Sequence, residues 1–308
     1  VDQWFTNWNP AAGAAATITR STSSTLPNAV DDLHIAVTGA ATFGSGNFFV
    51  LKGRIEGSWL SSLGWGTPNA QPATLSFPQS CSVPGVYTVW LDGSTSGLSY
   101  QMPYYLASNT QAQESFLIPG DTSGSWGFSG TGAGLEVVFS FDWGVPAAIT
   151  PFTWASGSGT GALGGVHMMA TSGATCDLGL VRLEPGSAAH AYTPRSPAQR
   201  LAIAQRYYGK GYDQGVAPGA VAANAQADAV MSGTTGVLHV TFPGICRADP
   251  AVTPYSPNSG AINMVYDVTG LADVAATAAN VGMGGATISF TSVAGHEYRV
   301  VTTDDCHL

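Results

Sequence analysis

Apolar and polar positions alternate with a period of two along most of this chain. The runs are short: "ATITRS" (16–21), "LHIAVTGA" (33–40), "NFFVLKGRIEG" (47–57), "ATLSFPQSCS" (73–82), "GVYTVWLDG" (85–93), "LSYQMPYYLAS" (98–108), "QESFLIPG" (113–120), "GLEVVFSFDWG" (134–144) and "ATCDLGLVRLE" (174–184). Successive strand residues face opposite sides of a sheet, so such runs predict strands with one face in a core. Between them lie turn formers, as in "SSLGWGTPNAQP" (61–72). Many short strands separated by Gly-rich turns predict a β-sandwich or jelly roll over residues 1–186. "PAQRLAIAQRYY" (197–208) breaks the pattern. Ser196 fits an N-cap and Pro197 the first helical turn. Leu201, Ala202, Ala204 and Tyr208 fall at helical spacing, and Gly209 and Gly211 are expected to stop the helix. An extended linker and this short helix occupy 187–211. From 212 to 308 the β pattern returns in "GVLHVTFPGICR" (236–247), "AINMVYDVTG" (261–270), "GATISFTS" (285–292) and "HEYRVVTTDDC" (296–306), with "PYSPNSG" (254–260) as a turn. "GAVAANAQADAV" (219–230) is Ala-rich and is read as strand because Gly and Val flank it. The expected fold class is therefore all-β: a jelly-roll β-sandwich, a short linker helix and a second, smaller β domain.

Composition narrows the function. Of 308 residues, 44% are apolar, which is ample for a core, and only 9% are charged, far below the usual quarter. The surface must then be covered by Ser, Thr, Asn, Gln and Gly. That suits secreted or particle-bound β proteins, or faces buried in an oligomer. The net charge of −9 argues against a nucleic-acid partner, because Arg182, Arg195, Arg200, Arg206 and Lys210 form the one basic stretch. No apolar run approaches the length of a membrane span, so no membrane insertion is expected. The opening "VDQWFTNW" has neither Met nor a signal-peptide pattern, and the chain is read as a piece of a longer protein.

Three stretches together resemble a family of tailed-bacteriophage tail-fibre and virion-surface proteins. "GRIEGSWLSSLGWGTPNAQPATLSF" resembles the centre of that family's jelly roll, and "FLIPGDTSGSWGFSGTGAGLEVVFSFDWG" the segment after it. "DLGLVRLEPGSAAHAYTPRSPAQRLAIAQRYY" resembles its closing signature, in which a strand ending in "LE-G" leads through "TP-P-R" to a helix closing on "QRYY". The resemblance runs from Val1 to about Tyr212 and is weaker beyond. It implies a strand through Leu178, Leu180, Val181 and Leu183 that finishes the sandwich, then an extended crossing to the helix. It also implies a non-enzymatic structural protein on the virion surface, a tail fibre or spike. Such a protein is expected to form a homo-oligomer, a trimer, to contact other virion proteins, and to attach to the host through surface polysaccharide. Two other roles fit the same resemblance: a capsid head fibre or decoration protein without a receptor, and a polysaccharide-degrading tail enzyme. Arg195, Arg200 and Arg206 are available for carboxylate pairing or for stacking on Tyr207 or Tyr208.

The four cysteines, Cys81, Cys176, Cys246 and Cys306, are widely spaced, with no CxxC, which disfavours a metal knuckle. Four buried free thiols is one reading. The jelly-roll resemblance implies another, in which "ATLSFPQSC" neighbours "CDLGLVRLE" and sets Cys81 beside Cys176. In the second domain "VTFPGIC" paired with "YRVVTTDDC" would bring Cys246 near Cys306.

Candidate chemistry is sparse. His34, His167, His190, His239, His296 and His307 are scattered without HExxH, and no G-x-S-x-G elbow occurs. "GTGALG" (159–164) matches GxGxxG by letter, but no helix follows, so it is read as a loop. No cofactor is expected. No metal ligand set is recognised, with a calcium ion held by carboxylates and carbonyls as the alternative. Glu56, Glu114, Asp121, Glu136 and Asp142 would have to converge on one cleft to serve a glycosidase, and Asp121 in "PGDTSG" reads as a turn former. Trp126, Trp143 and Trp154 lie in or beside Gly-rich loops. Exposed indoles there would suit the apolar C–H faces of sugars, so the three are candidate glycan contacts. The alternative is that they plug the sandwich ends or a subunit interface. Trp4, Trp59 and Trp90 are assigned to the core.

Overall fold

The structure is a computed structural model that describes residues 4–22, 26–29, 31–146, 150–193, 195–221 and 224–307. Two compact units meet in sequence at residues 193 and 194, each with its own hydrophobic core. The protein is predominantly β, with two β-sheet units and short helices.

The strands of the first unit are β1 (Trp4–Asn9), β2 (Ala15–Ser21), β3 (Asp32–Gly39), β4 (Phe48–Glu56), β5 (Ala73–Cys81), β6 (Gly85–Gly93), β7 (Leu98–Leu106), β8 (Ala112–Ile118), β9 (Ala133–Trp143), β10 (Trp154–Ser156), β11 (Thr175–Leu178) and β12 (Arg182–Pro185). A first sheet has the order β1-β4-β9-β6-β7-β10. A second has the order β12-β5-β11-β3-β2, with β8 also paired to β5. The two sheets form a jelly-roll-like sandwich. Alternation explains how they meet. On β9, Leu135, Val137, Phe139 and Phe141 enter the shared core, while Val138 belongs to a separate cluster with Val50 and Trp90 on the other face. Across the core the Phe77 ring of β5 meets Phe139 of β9 edge to face, at 4.8 Å between centroids. Each such buried ring contributes about 2–3 kcal/mol relative to exposure.

The strand expected through Leu178 to Leu183 is broken. β11 pairs with β5 as far as Leu178↔Gln79, and β12 resumes at Arg182↔Ser76. Three residues therefore oppose two, and Leu180 takes a left-handed φ of 43°. The bulge lies opposite Pro78, which has no N–H for a ladder; Gly179 N donates to the Pro78 carbonyl instead (3.2 Å). In β11, Cys176 is in register with Cys81 of β5, and a disulfide joins the two. The segment 61–72, read as a turn, opens with helical geometry: α1 (Gly57–Leu60) runs into a 3₁₀ turn over Ser61–Leu63.

The second unit begins with the helix α2 (Pro197–Gln205). Ser196 and Gln199 form a reciprocal capping box, and Pro197 occupies the first turn. The helix stops before its expected glycines. Arg206 N and Tyr207 N close its last turn on Ile203 and Ala204, and Tyr208 already belongs to a strand. No helix side chain is fully buried; of the expected apolar stripe Leu201 and Ala202 are exposed, while Ala204 and Tyr208 are half-buried. The strands are β13 (Tyr208–Lys210), β14 (Ala227–Val230), β15 (Thr235–Thr241), β16 (Ala251–Tyr255), β17 (Met264–Asp267), β18 (Ala272–Gly282), β19 (Gly285–Thr291) and β20 (Glu297–Asp305). Their sheet has the order β13-β20-β17-β18-β19-β15, and β14 and β16 also pair with β20. Of the stretch 219–230 only β14 is strand, and residues 222–223 lie outside the described ones. β18, "ADVAATAANVG", was not among the expected strands. Alanine has weak β propensity, and pairing with β17 and β19 overrides it.

Candidate functional site

The outward face of the first sheet gathers charged and aromatic side chains. On β4, Lys52 and Arg54 both bind the Glu136 carboxylate of β9, at 2.9 and 2.7 Å. Burial alone would raise this carboxyl, but the two cations outweigh it and hold Glu136 below its ordinary value. The Arg54 guanidinium also lies over the Phe5 ring, 4.5 Å from its centroid. Further along, Phe48 stacks on Trp143 at 5.0 Å and 19°, and Trp143 meets the Trp90 edge at 6.0 Å.

A glycine-rich strap, "GSGTGALGG" (157–165), crosses this face. It is tied down at each step. Trp90 Nε1 and Ser158 Oγ donate to Asp92 Oδ2 (2.9 and 3.0 Å), and Gly159 N donates to Asp92 Oδ1 (3.2 Å). Gln101 Nε2 donates to the Thr160 carbonyl. Ala162 N donates to Thr88 Oγ1 (3.0 Å) and Val166 N to the Val86 carbonyl (2.9 Å). Burial pushes the Asp92 carboxyl above its ordinary value despite these donors. Glycine is required for so close an approach: a Cβ on Gly159 would lie 2.3 Å from the Trp90 ring, and one on Gly161 would lie 2.6 Å from Trp143 Cβ. Past the strap, Asp142 is pushed up by burial and pulled down by His167 Nδ1 (2.9 Å) and Met169 N (2.9 Å), with burial prevailing.

Beside the strap, over β6 and β7, the face opens into a pocket of about 490 Å³ lined by Val86, Gln101, Pro103, Tyr105, Pro151 and Leu163, with Tyr104 and Ala162. Tyr105 and Leu163 form an apolar rim, 64% and 66% exposed. Gln101 is 2% exposed, and its Oε1 has no hydrogen-bond partner among the described residues.

The three tryptophans put forward as glycan contacts separate. Trp126 and Trp154 belong to an aromatic plug with Trp65, all three indoles meeting edge to face at 5.0–5.1 Å. Their N–H groups are engaged: Trp126 with Asp121 Oδ2 (2.8 Å), Trp154 with the Pro119 carbonyl (2.9 Å), Trp65 with the Gln71 carbonyl (2.7 Å). Trp143 alone lies on the outward face, partly under the strap. Asp121 holds the plug by also accepting from Ser123 N and Oγ. Trp59, assigned to the core, is 46% exposed, because α1 turns it outward at the chain's exit from β4. Trp4 packs partly buried against Phe139, at 5.8 Å, and Trp90 is buried on the outward face rather than between the sheets.

The carboxylates are dispersed. Glu114 lies on β8 of the second sheet, Glu136 and Asp142 lie toward opposite ends of β9, Asp121 is in the plug, and buried Glu56 accepts from Ser58 Oγ (2.6 Å). Five histidines instead pair singly with acids: His34 with Asp177, His167 with Asp142, His190 with Glu184, His296 with Asp267, His307 with Asp305. Among the described residues no three His, Cys, Asp or Glu side chains gather as a metal set, and no helix is long and apolar enough to cross a membrane.

In the second unit Cys246 and Cys306 are neighbours but stand as separate buried thiols. Of the two readings, free thiols or a bridge, the structure has the thiols here, and each sulfur also meets an oxygen. Cys246 Sγ donates to Asp304 Oδ2 (3.5 Å) and Cys306 Sγ to the Arg206 carbonyl (3.1 Å). Burial pushes the Cys246 thiol up, keeping it protonated. Burial also raises the fully buried Asp304 carboxyl, to about 6. Tyr208 stacks on His307 (6.0 Å).

The class that this geometry defines is an all-β protein with a jelly-roll-like sandwich and a second β unit. No family model and no curated protein matches the chain. Among solved structures, one described as CBM4 is similar at 16% identity, covering 60% of this chain and 95% of its own, with a TM-score of 0.33. A family 11 carbohydrate-binding module from Clostridium thermocellum, in complex with a β-1,3-1,4-mixed-linked tetrasaccharide, is similar at 10% identity, with 62% and 92% covered and a TM-score of 0.33. The enzymatically active domain of tailspike protein 4 from bacteriophage CBA120 is similar at 9% identity, with 59% of this chain and 19% of that chain covered and a TM-score of 0.33. At these values the likenesses carry no functional argument.

Proposed function

We propose that this chain is a non-enzymatic surface protein of a tailed-phage virion, a fibre or spike, that attaches to host polysaccharide through the outward face of its first sheet. The observation that carries the binding half is the pocket beside the strap: an exposed tyrosine, apolar walls and one buried amide, the usual composition of a small-ligand site. The dispersed carboxylates favour binding over hydrolysis, since glycosidases need two acids flanking one bond. The virion half rests on the residues of the "LE-G…TP-P-R…QRYY" segment. A homotrimer fits the apolar positions that helix α2 leaves exposed, Leu201 and Ala202.

The test has three parts. The purified chain should sediment with bacterial cells bearing intact surface polysaccharide and should release no reducing ends from it. Light scattering should give a mass of three chains. Antibody raised against the chain should label the tails of intact virions. Release of reducing ends would replace this reading with an enzyme. Labelling confined to capsids, without cell binding, would replace it with a decoration protein.

A further inference from the structure

We infer that the pocket between Tyr105 and the strap is the primary sugar subsite and that it selects an uncharged pyranose; this rests on the attachment reading above and deepens it. Three observations carry the inference. The first is shape. Consecutive strand residues face opposite ways, so Tyr104 points inward, where its hydroxyl donates to Gln79 Oε1 (2.5 Å), while Tyr105 points outward and exposes its ring. Pro103, two residues before it, shares its face. Leu163 of the strap lines the same pocket and is exposed.

The second observation is an unmet hydrogen-bond requirement. Gln101 lies on the same outward face, one step further along β7. Its Nε2 is spent on the strap at Thr160, and its buried Oε1 lacks a donor among the described residues. A buried acceptor without a partner is costly, and a ligand O–H supplies the missing donor. The strap covers this oxygen, so a hydroxyl reaches it as Thr160–Ala162 give way. That movement breaks the Gln101–Thr160 and Ala162–Thr88 hydrogen bonds, a cost the ligand must offset, and the five glycines in nine residues leave the backbone room to adjust.

The third observation is charge. Among the described residues no ionisable acid or base lines the pocket except the tyrosines. On this face Lys52 and Arg54 are already committed to Glu136, and the whole chain carries −9. A carboxylated or sialylated sugar would lose its hydration here without gaining a cation. A neutral ring instead lays its C–H face on Tyr105 and donates a hydroxyl to Gln101.

The experiment is affinity electrophoresis of the full chain in gels containing dextran, mannan, galactan, mixed-linkage β-glucan, polygalacturonate or hyaluronate. Tyr105→Ala and Gln101→Met are run beside it, with melting curves for each. Because Tyr105 is exposed, Tyr105→Ala should melt like the wild type. Gln101 is buried, so amide NMR supplies an independent readout: its side-chain NH₂ signals should move on titration with the sugar of the retarding polymer, while those of Gln113 stay fixed. The expected result is retardation by a neutral polymer and about tenfold or greater weakening in Tyr105→Ala. Retardation unchanged by Tyr105→Ala, or by acidic polymers only, overturns the subsite and leaves attachment standing. A wild-type chain retarded by no polymer and not sedimenting with bacterial cells overturns both.

Discussion

Replacing Asp304 by Asn should stabilise the second unit at neutral pH and leave it unchanged in acid. Asp304 is fully buried on β20, its Oδ2 facing the Cys246 thiol and its Oδ1 unpartnered among the described residues. A Cβ on Gly209 would lie 2.3 Å from the same carboxylate, so the acid is enclosed on the β13 side as well. Its folded value is about 6 against an ordinary 3.8. Between those two values the folded chain keeps a proton that the unfolded chain releases. Unfolding is therefore favoured as pH rises through this window. The contribution is fully present below the ordinary value and lost above the folded one. The interval corresponds to about 3 kcal/mol. Asparagine keeps the shape and accepts from Cys246, but it has no charge to bury. At pH 7.5 the variant should thus exceed the wild type by up to about 3 kcal/mol, and at pH 3.5 the two should match.

The tryptophans all lie in the first unit, so their fluorescence does not report on this one. Cys246 and Cys306 do, because both are buried. A short alkylation pulse after equilibration in urea, read by mass spectrometry, gives the midpoint of opening of their unit, and comparison at equal pH cancels intrinsic thiol reactivity. The midpoint difference at pH 7.5 should be on the order of 1–2 M urea. Midpoints that coincide from pH 4 to 8, or a wild type that gains on the variant as pH rises, would refute the argument.

Further outcomes follow from the same geometry. Disulfide mapping of the denatured chain should find Cys81 linked to Cys176 and two free thiols. Replacing both bridged cysteines by Ser should cost the first unit about 4 kcal/mol in denaturant melts, given a separation of 95 residues. Trp126→Ala should lower the stability of the first unit by about 3 kcal/mol, through loss of the plug, while polymer retardation of the folded chain persists; loss of retardation would make Trp126 a contact. Gly159→Ala should push the strap off Trp90, red-shifting tryptophan emission and destabilising the unit by roughly 1–3 kcal/mol; an unchanged spectrum and melt would mean that the strap does not pack as described.

Alternation sufficed for β5, β6, β7 and β9 because each has one face in the shared core, and that burial leaves a period of two in the residues themselves. It failed at β18, where alanines satisfy a sheet through neighbouring strands and leave no periodic trace. It also failed at Leu180, since a bulge is imposed by a partner strand far away in sequence. The site was legible in part. Gly-rich surroundings marked Trp126, Trp143 and Trp154 alike, and nothing local showed that Gly161 of a distant segment would close on Trp143 while the N–H groups of the other two find partners in loops. Gln101 and Tyr105 went unremarked inside a run read only as a strand. The adjacent tyrosines of "PYY" held the clue, because two neighbours on a strand cannot both point inward.

The strap has one more consequence. By lying flat on Trp90 and Trp143, it turns what would have been an open trough along the sheet into a notch at one margin. A notch admits the tip of a chain or a side branch, whereas a trough cradles its middle. Under the attachment reading proposed above, grip would scale with how many tips a cell displays and how many copies of this protein meet them together, and hardly at all with the length of each polymer.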